Sequence, residues 1–232
     1  MRRKPIYILG GMGPDASREL YRALIKKAQT VYGASQNKDY PEIVLHSIPV
    51  PDFISDESSK LEALEYIKEV VTSINPQRFG MFAIACSTAH LLAEELTSLT
   101  DVEFVSMIKA VGDLTKGLGY RRVGVLEVRT TLKARIFHAV LDQRSMEVLT
   151  PSVHDQASLE KGIRNVLAGR LTGADVHTVL RSAGQLEESG AEACILGCTE
   201  LPLLFSERAL TTNGLISSID ALANALLEKY YA

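Results

Sequence analysis

"FAIACSTAH", Phe82–His90, is an apolar run that ends on a thiol. Met81–Ala85 reads as a buried strand, Cys86 closes it, and Ser87, Thr88 and His90 lead into a second apolar stretch. The design returns in "EACILGCTEL", Glu192–Leu201: an apolar strand, then Cys198, then a threonine. A strand that stops at a cysteine ahead of a helical pattern is expected at the carboxyl edge of a parallel sheet, where ligands bind.

Outward from these two stretches, strands and helices alternate. Ile6–Leu9 is a short apolar strand ending in "GGMGP". Leu20, Ala23, Leu24, Ala28 and Val31 fall on one face of a helix over Ala16–Val31. Further helices are expected over Ser59–Ile74, Thr88–Leu99 and Ile108–Leu118, with strands at Ile43–Ile48 and Val102–Met107. "YRRVGVLEV" then restarts the pattern of "RRKPIYILG". Strands follow at Met146–Leu149, around "GAEACILG" and at Leu215–Ile219. Helices follow at Thr131–Leu141, Ser158–Leu167, Val176–Glu188 and Ala221–Tyr231, with a short one starting at Pro202–Phe205. Such alternation implies α/β architecture: parallel sheets, here four strands each, with helices on both faces. Ile6 matches Val123 at an offset of 117, and Cys86 matches Cys198 at 112, so the chain reads as a duplication. The expected domains are 1–119 with the C-terminal segment from about 215 to 232, and 120–214.

Composition narrows the function. Of 232 residues 46% are apolar and 23% charged, a globular balance, and the net charge of −3 provides no basic field for nucleic acid or an anionic membrane. The apolar stretch after "MRRK" is too short for a signal peptide, and no run approaches the roughly 18 residues of a membrane span. These features lead us to expect a cytoplasmic protein. Three cysteines, Cys86, Cys194 and Cys198, make no disulfide framework, and without a Cys-x-x-Cys pair no zinc site is expected. Cys194, inside its apolar run, reads as a small buried hydrophobe.

A thiol at a helix N-terminus is biased toward thiolate. If the two halves face each other about a pseudo-twofold, Cys86 and Cys198 flank one cleft. One thiolate could then remove a proton from a carbon while the opposite thiol returns one, inverting the centre without a cofactor or metal. "GGMGPDAS" (Gly10–Ser17), "ACSTAH" (Ala85–His90) and "GCTEL" (Gly197–Leu201) together resemble the signatures of the cofactor-independent aspartate/glutamate racemase superfamily, nearest its aspartate racemase branch. The resemblance spans nearly the whole chain. It implies two pseudo-symmetric domains with the active site in the cleft between them, a homodimer, an amino-acid substrate with an acidic side chain, and Cys86 and Cys198 as the acid/base pair.

Abstracting an α-proton places negative charge on the substrate carboxylate, which needs preorganised donors. Candidates are the backbone and side chains of Met12, Gly13, Ser87, Thr88 and Thr199, with Thr130 and Thr131 in the matching loop of the second half; Glu200 could meet the ammonium or favour the helix start. Two features depart from the family. Ser87 stands where asparagine is usual, and Phe53 in "VPDFI" stands where many aspartate racemases carry arginine, which puts aspartate in question. Arg129 in "EVRTT" is the candidate to fork a substrate carboxylate in its place.

Other readings stay beside this one. "GGMGPDA" also fits a dinucleotide fingerprint, but the acid it needs at the end of the second strand is missing: Asp39 comes too early and Asp52 too late. Cys86 with His90 could form an amidase pair, although a histidine that orients the loop is the simpler expectation. A hydantoin racemase, a racemase of another amino acid, a cis–trans isomerase of a dicarboxylic acid and a silent binding homologue complete the set.

Overall fold

The computed structural model describes residues 3–51 and 57–232, apart from the side chains of 57–60. Asp52 and Phe53 lie outside the described residues. The chain forms two compact units: residues 1–107 with 222–232, and residues 108–221.

The first unit runs β1 (Ile6–Gly10), α1 (Pro14–Thr30), β2 (Ile43–Ser47), α2 (Glu57–Thr72), β3 (Met81–Ile84), α3 (Ala93–Thr97) and β4 (Glu103–Phe104). All pairings are parallel, in the order β2-β1-β3-β4. The central strands β1 and β3 are buried along their whole length, as a sheet covered on both faces requires. Pro14 opens α1 with its φ already set and Asp15 complements the helix dipole, while Leu20, Ala23, Leu24 and Ala28 form the buried stripe. Leu9, Phe82 and Ile84 from the sheet pack with Ile67, Val71 and Leu96 from the helices.

The second unit contains α4 (Met107–Gly117) from Ile108 onward, β5 (Arg122–Leu126), α5 (Arg129–Ala134), α6 (Ile136–Asp142), β6 (Glu147–Leu149), α7 (Val153–Leu167), α8 (Gly173–Glu188), β7 (Ala193–Leu196), α9 (Glu207–Thr212) and β8 (Leu215–Ser217). Its parallel order is β6-β5-β7-β8, the same plan as the first. Helix α10 (Ser218–Tyr231) closes the chain, and its later turns belong to the first unit, where Tyr231 stacks on Tyr32 at 4.3 Å and donates to the Asp39 carbonyl.

Several boundaries differ from the sequence expectation. The first unit ends at Met107 rather than at 119, because α4 sits with the second unit. Strand β8 pairs with β7, so 215–217 belongs with the second sheet and not the first domain. The helix expected over Thr88–Leu99 is a 3-10 turn, Thr88–Leu92, followed by the short α3. The helix expected over Thr131–Leu141 is two, broken where Arg135 takes φ +55. Apolar spacing marks the buried face of a segment but does not report such a backbone break.

Candidate functional site

The register of the sheets places the two cysteines at matching points. Leu9 pairs with Ile84, and Cys86 follows two residues on; Leu126 pairs with Leu196, and Cys198 follows two residues on. The next peptide is held alike in both: Ala85 N–H donates to Leu9 O at 2.9 Å, and Gly197 N–H to Leu126 O at 2.8 Å. Each thiol therefore stands just beyond the carboxyl end of a central strand. Each is followed by a short 3-10 turn, Thr88–Leu92 or Leu201–Leu204, in place of the α-helix expected, so little macrodipole accumulates there. None of the three cysteines is in a disulfide, and all are buried.

In the first unit the loop after β1 is shaped by glycine. Gly11 has φ +98, and a Cβ there would lie 2.2 Å from the Ile48 carbonyl oxygen, so only glycine lets the β1 and β2 loops meet. Ser17 fastens the loop: its hydroxyl accepts from Gly11 N–H and donates to Gly13 O, each at 3.0 Å. Met12 packs on the core cluster that contains Cys86, and the Met12–Gly13 peptide is cis. Ser87 and Thr88 are buried after the thiol.

His90 braces this edge. Its Nδ1 lies 2.9 Å from the Cys86 carbonyl, which can only accept, so Nδ1 carries the proton; Nε2 accepts from Met107 N–H at 3.0 Å. The ring ties the Cys86 turn to the segment after β4. Burial pushes its pKa down to about 4, so it is neutral. With both nitrogens engaged in backbone bonds, His90 has no lone pair for the Cys86 thiol, and the amidase arrangement is not formed.

In the second unit the Cys198 thiol donates to Glu200 Oε2 at 3.0 Å, and the Thr199 hydroxyl donates to the same oxygen at 3.1 Å. Thr131 is buried and its hydroxyl donates to Val128 O at 2.9 Å; Thr130 is half-buried beside it. Arg129 does not offer the open fork expected. Glu160 accepts its N–H at 2.6 Å and stands 3.8 Å from its guanidinium. Glu127, one residue past β5, was missed by the sequence reading. It is fully buried, and burial pushes its carboxyl up to about 7. Gly197 packs against it: a Cβ on Gly197 would meet Glu127 Cβ at 3.2 Å and the Phe137 ring at 3.0 Å. An acid inside the apolar run "VGVLEV" was the available signal. Cys194 is a core thiol held up to about 12 by burial, which makes it inert.

Among the described residues no group of three or more His, Cys, Asp or Glu could hold a metal ion, and no helix is long and apolar enough to cross a membrane.

Comparison with known proteins places this arrangement. The broad specificity amino-acid racemase RacX of Bacillus subtilis is 26% identical over 98% of both chains. The structure of Picrophilus torridus aspartate racemase superposes with a TM-score of 0.81 at 26% identity, covering 98% of this chain and 94% of that one. An aspartate racemase homologue of Pyrococcus horikoshii shares the fold, with a TM-score of 0.80 at 24% identity over 99% and 100% of the two chains. The family model for Asp/Glu/Hydantoin racemase matches residues 9–226. Racemases are isomerases, and this chain belongs to the Asp/Glu/hydantoin racemase family.

Proposed function

We propose that the protein racemises a free amino acid by two-base proton transfer, without a cofactor. Cys86 serves one face of the α-carbon and Cys198 the other. The observation that carries this is the placement of the two thiols: each lies two residues past the central strand of sheets with one strand order. In one direction a thiolate takes the α-proton, the electron pair spreads into the substrate carboxylate, and the opposite thiol returns a proton to the other face. The reverse direction exchanges the roles. Candidate donors for the developing charge are the backbone N–H groups of Met12 and Gly13 and the hydroxyls of Ser87, Thr88 and Thr130. The Gly11 N–H and the hydroxyls of Thr131 and Thr199 are already given to Ser17, Val128 O and Glu200 and would have to be released to join them. Glu200 supports Cys198, because the carboxylate that receives the thiol's hydrogen bond is also a ready acceptor for its proton.

The substrate expected from the family resemblance is aspartate, with glutamate beside it. That choice requires a cation for the side-chain carboxylate, and Arg129 is held by Glu160. The proposal is therefore racemisation of amino acids, with the side chain left to a panel. The homodimer is likewise a proposal taken from the resemblance, tested by sedimentation at micromolar concentration, and the cytoplasmic location remains a proposal taken from the composition and the short apolar runs.

The deciding experiment incubates the protein with single enantiomers of aspartate, glutamate, lysine, ornithine and alanine in D2O. Chirality and deuterium at the α-carbon are followed together. Inversion with label incorporation is expected for at least one amino acid, lost in both Cys86→Ala and Cys198→Ala. Since each thiol serves one face, one variant should still exchange label from a single enantiomer. Ammonia release without inversion, or ligand binding without exchange, would refute the racemase reading.

A further inference from the structure

Among the buried polar atoms of the second unit that meet no hydrogen-bond partner among the described residues are both carboxylate oxygens of Glu127 and Oε1 of Gln156 on α7. They belong to one neighbourhood, since Gln156 Nε2 donates to the backbone carbonyl of Glu127 at 2.7 Å. That bond also settles the orientation of the Gln156 amide, because a carbonyl cannot donate. The Thr131 hydroxyl eases the carboxylate's charge but already donates to Val128 O. Native interiors rarely leave buried acceptors unmet. A primary ammonium, with three N–H donors and a matching charge, is the group that answers a carboxylate and a carbonyl at once.

We propose that Glu127, with Gln156, is a specificity-determining subsite for the side-chain ammonium of a diamino-acid substrate. The proposal rests on the racemase reading above and names the substrate class of that same site. Two observations assign the subsite to the side chain rather than to the α-ammonium. The α-carbon must come to the Cys198 thiol, where Glu200 stands within 3.0 Å of the sulfur, so the α-ammonium falls to that end. Glu127 packs instead against Gly197, one residue before the Cys198 thiol, so a substrate group that extends past the α-carbon on that side would be the one to meet it. The charged and titratable groups on α5, α6 and α7 and in the turn after β7 are Arg129 and Lys133; His138 and Asp142; His154, Asp155, Glu160, Lys161 and Arg164; and Cys198 and Glu200. Asp155 is engaged by Ser152 and Arg181, and Glu160 by Arg129. Burial already raises the Glu127 carboxyl to about 7, so arrival of a cation should expel its proton.

The test is calorimetric binding of racemic lysine and racemic norleucine at pH 6.5. The two side chains have similar length, and only lysine carries the second ammonium. Racemic ligand adds no net heat of turnover. Repeating the titration in buffers of different ionisation heat counts the protons released. Lysine is expected to release about half a proton or more beyond norleucine, since most of a group titrating at about 7 is protonated at this pH. Glu127→Gln is expected to abolish that excess and to weaken lysine binding about tenfold or more, with norleucine within about twofold. Equal proton release for the two ligands, or lysine binding unchanged in Glu127→Gln, overturns the proposal. Equal weakening of both ligands would assign Glu127 to the α-ammonium and overturn it too. Should Glu127→Gln not fold, the proton count on the natural chain still decides. Racemisation with lysine binding indifferent to Glu127 would leave the racemase reading standing alone. Glu127-dependent lysine binding with no racemisation of any amino acid would leave the subsite without the chemistry.

Discussion

Replacing Glu127 by glutamine keeps the shape of a buried side chain and removes its titration. In the folded chain the carboxyl is raised from 4.5 to about 7, chiefly by burial. Below pH 4.5 both folded and unfolded forms carry the proton, and the group does not oppose folding. Between 4.5 and 7 the unfolded chain releases its proton while the folded chain keeps it, so stability falls as pH rises. Above 7 both are ionised and the loss is complete. A separation of about 2.5 units at about 1.36 kcal/mol each makes that loss about 3 kcal/mol. Glutamine has no such term. Urea unfolding of the natural chain and of Glu127→Gln, at pH 4.5, 6 and 8 and constant ionic strength, isolates it, because every other titrating group cancels in the difference. The stability of Glu127→Gln relative to the natural chain should grow by about 3 kcal/mol from pH 4.5 to 8, with most of the growth by pH 7. A difference that stays within about 1 kcal/mol across this range would refute the argument.

His90 in the other unit gives the opposite slope. Its folded pKa of about 4 lies below the unfolded value of 6.5, so its stabilising contribution is present above 6.5 and lost as pH falls toward 4. Urea unfolding of His90→Asn should be less sensitive to acid over that window, and weaker at neutral pH by about 2 kcal/mol for the two backbone bonds it disturbs. Gly11→Ala places a methyl against the Ile48 carbonyl at φ +98, and thermal melting should show a loss of about 2 kcal/mol or more. Cys194, with its thiol at about 12, should resist iodoacetamide at pH 8 in the folded protein and react once denatured, as read by mass spectrometry. Cys194→Ala should leave amino-acid inversion within about twofold while lowering stability by about 1 kcal/mol for the lost packing.

The positions of Cys86 and Cys198 were legible because burial leaves a plain mark in a chain. A strand covered on both faces is a short apolar run, and the residue that ends it is read directly. Two such runs at related offsets made the duplication visible, and the shared strand order bears it out. His90 was less legible. A histidine four residues after a cysteine suits catalysis or bracing equally, and only the Met107 N–H, brought to its other nitrogen across 17 residues, decided for bracing. Arg129 read as an open guanidinium because Glu160, on a different helix, is invisible to local pattern.

From sequence alone, then, came the α/β class, the repeated plan and the two strand-end thiols. These follow from which residues leave water, and hydrophobicity is local to each residue. Tertiary structure alone decided the sheet that β8 joins, the brace on the Cys86 turn and the orphaned carboxyl of Glu127. Each depends on which polar groups meet at distances that separate them widely along the chain, and a charged residue in an apolar run carries no label saying whether a partner waits for it.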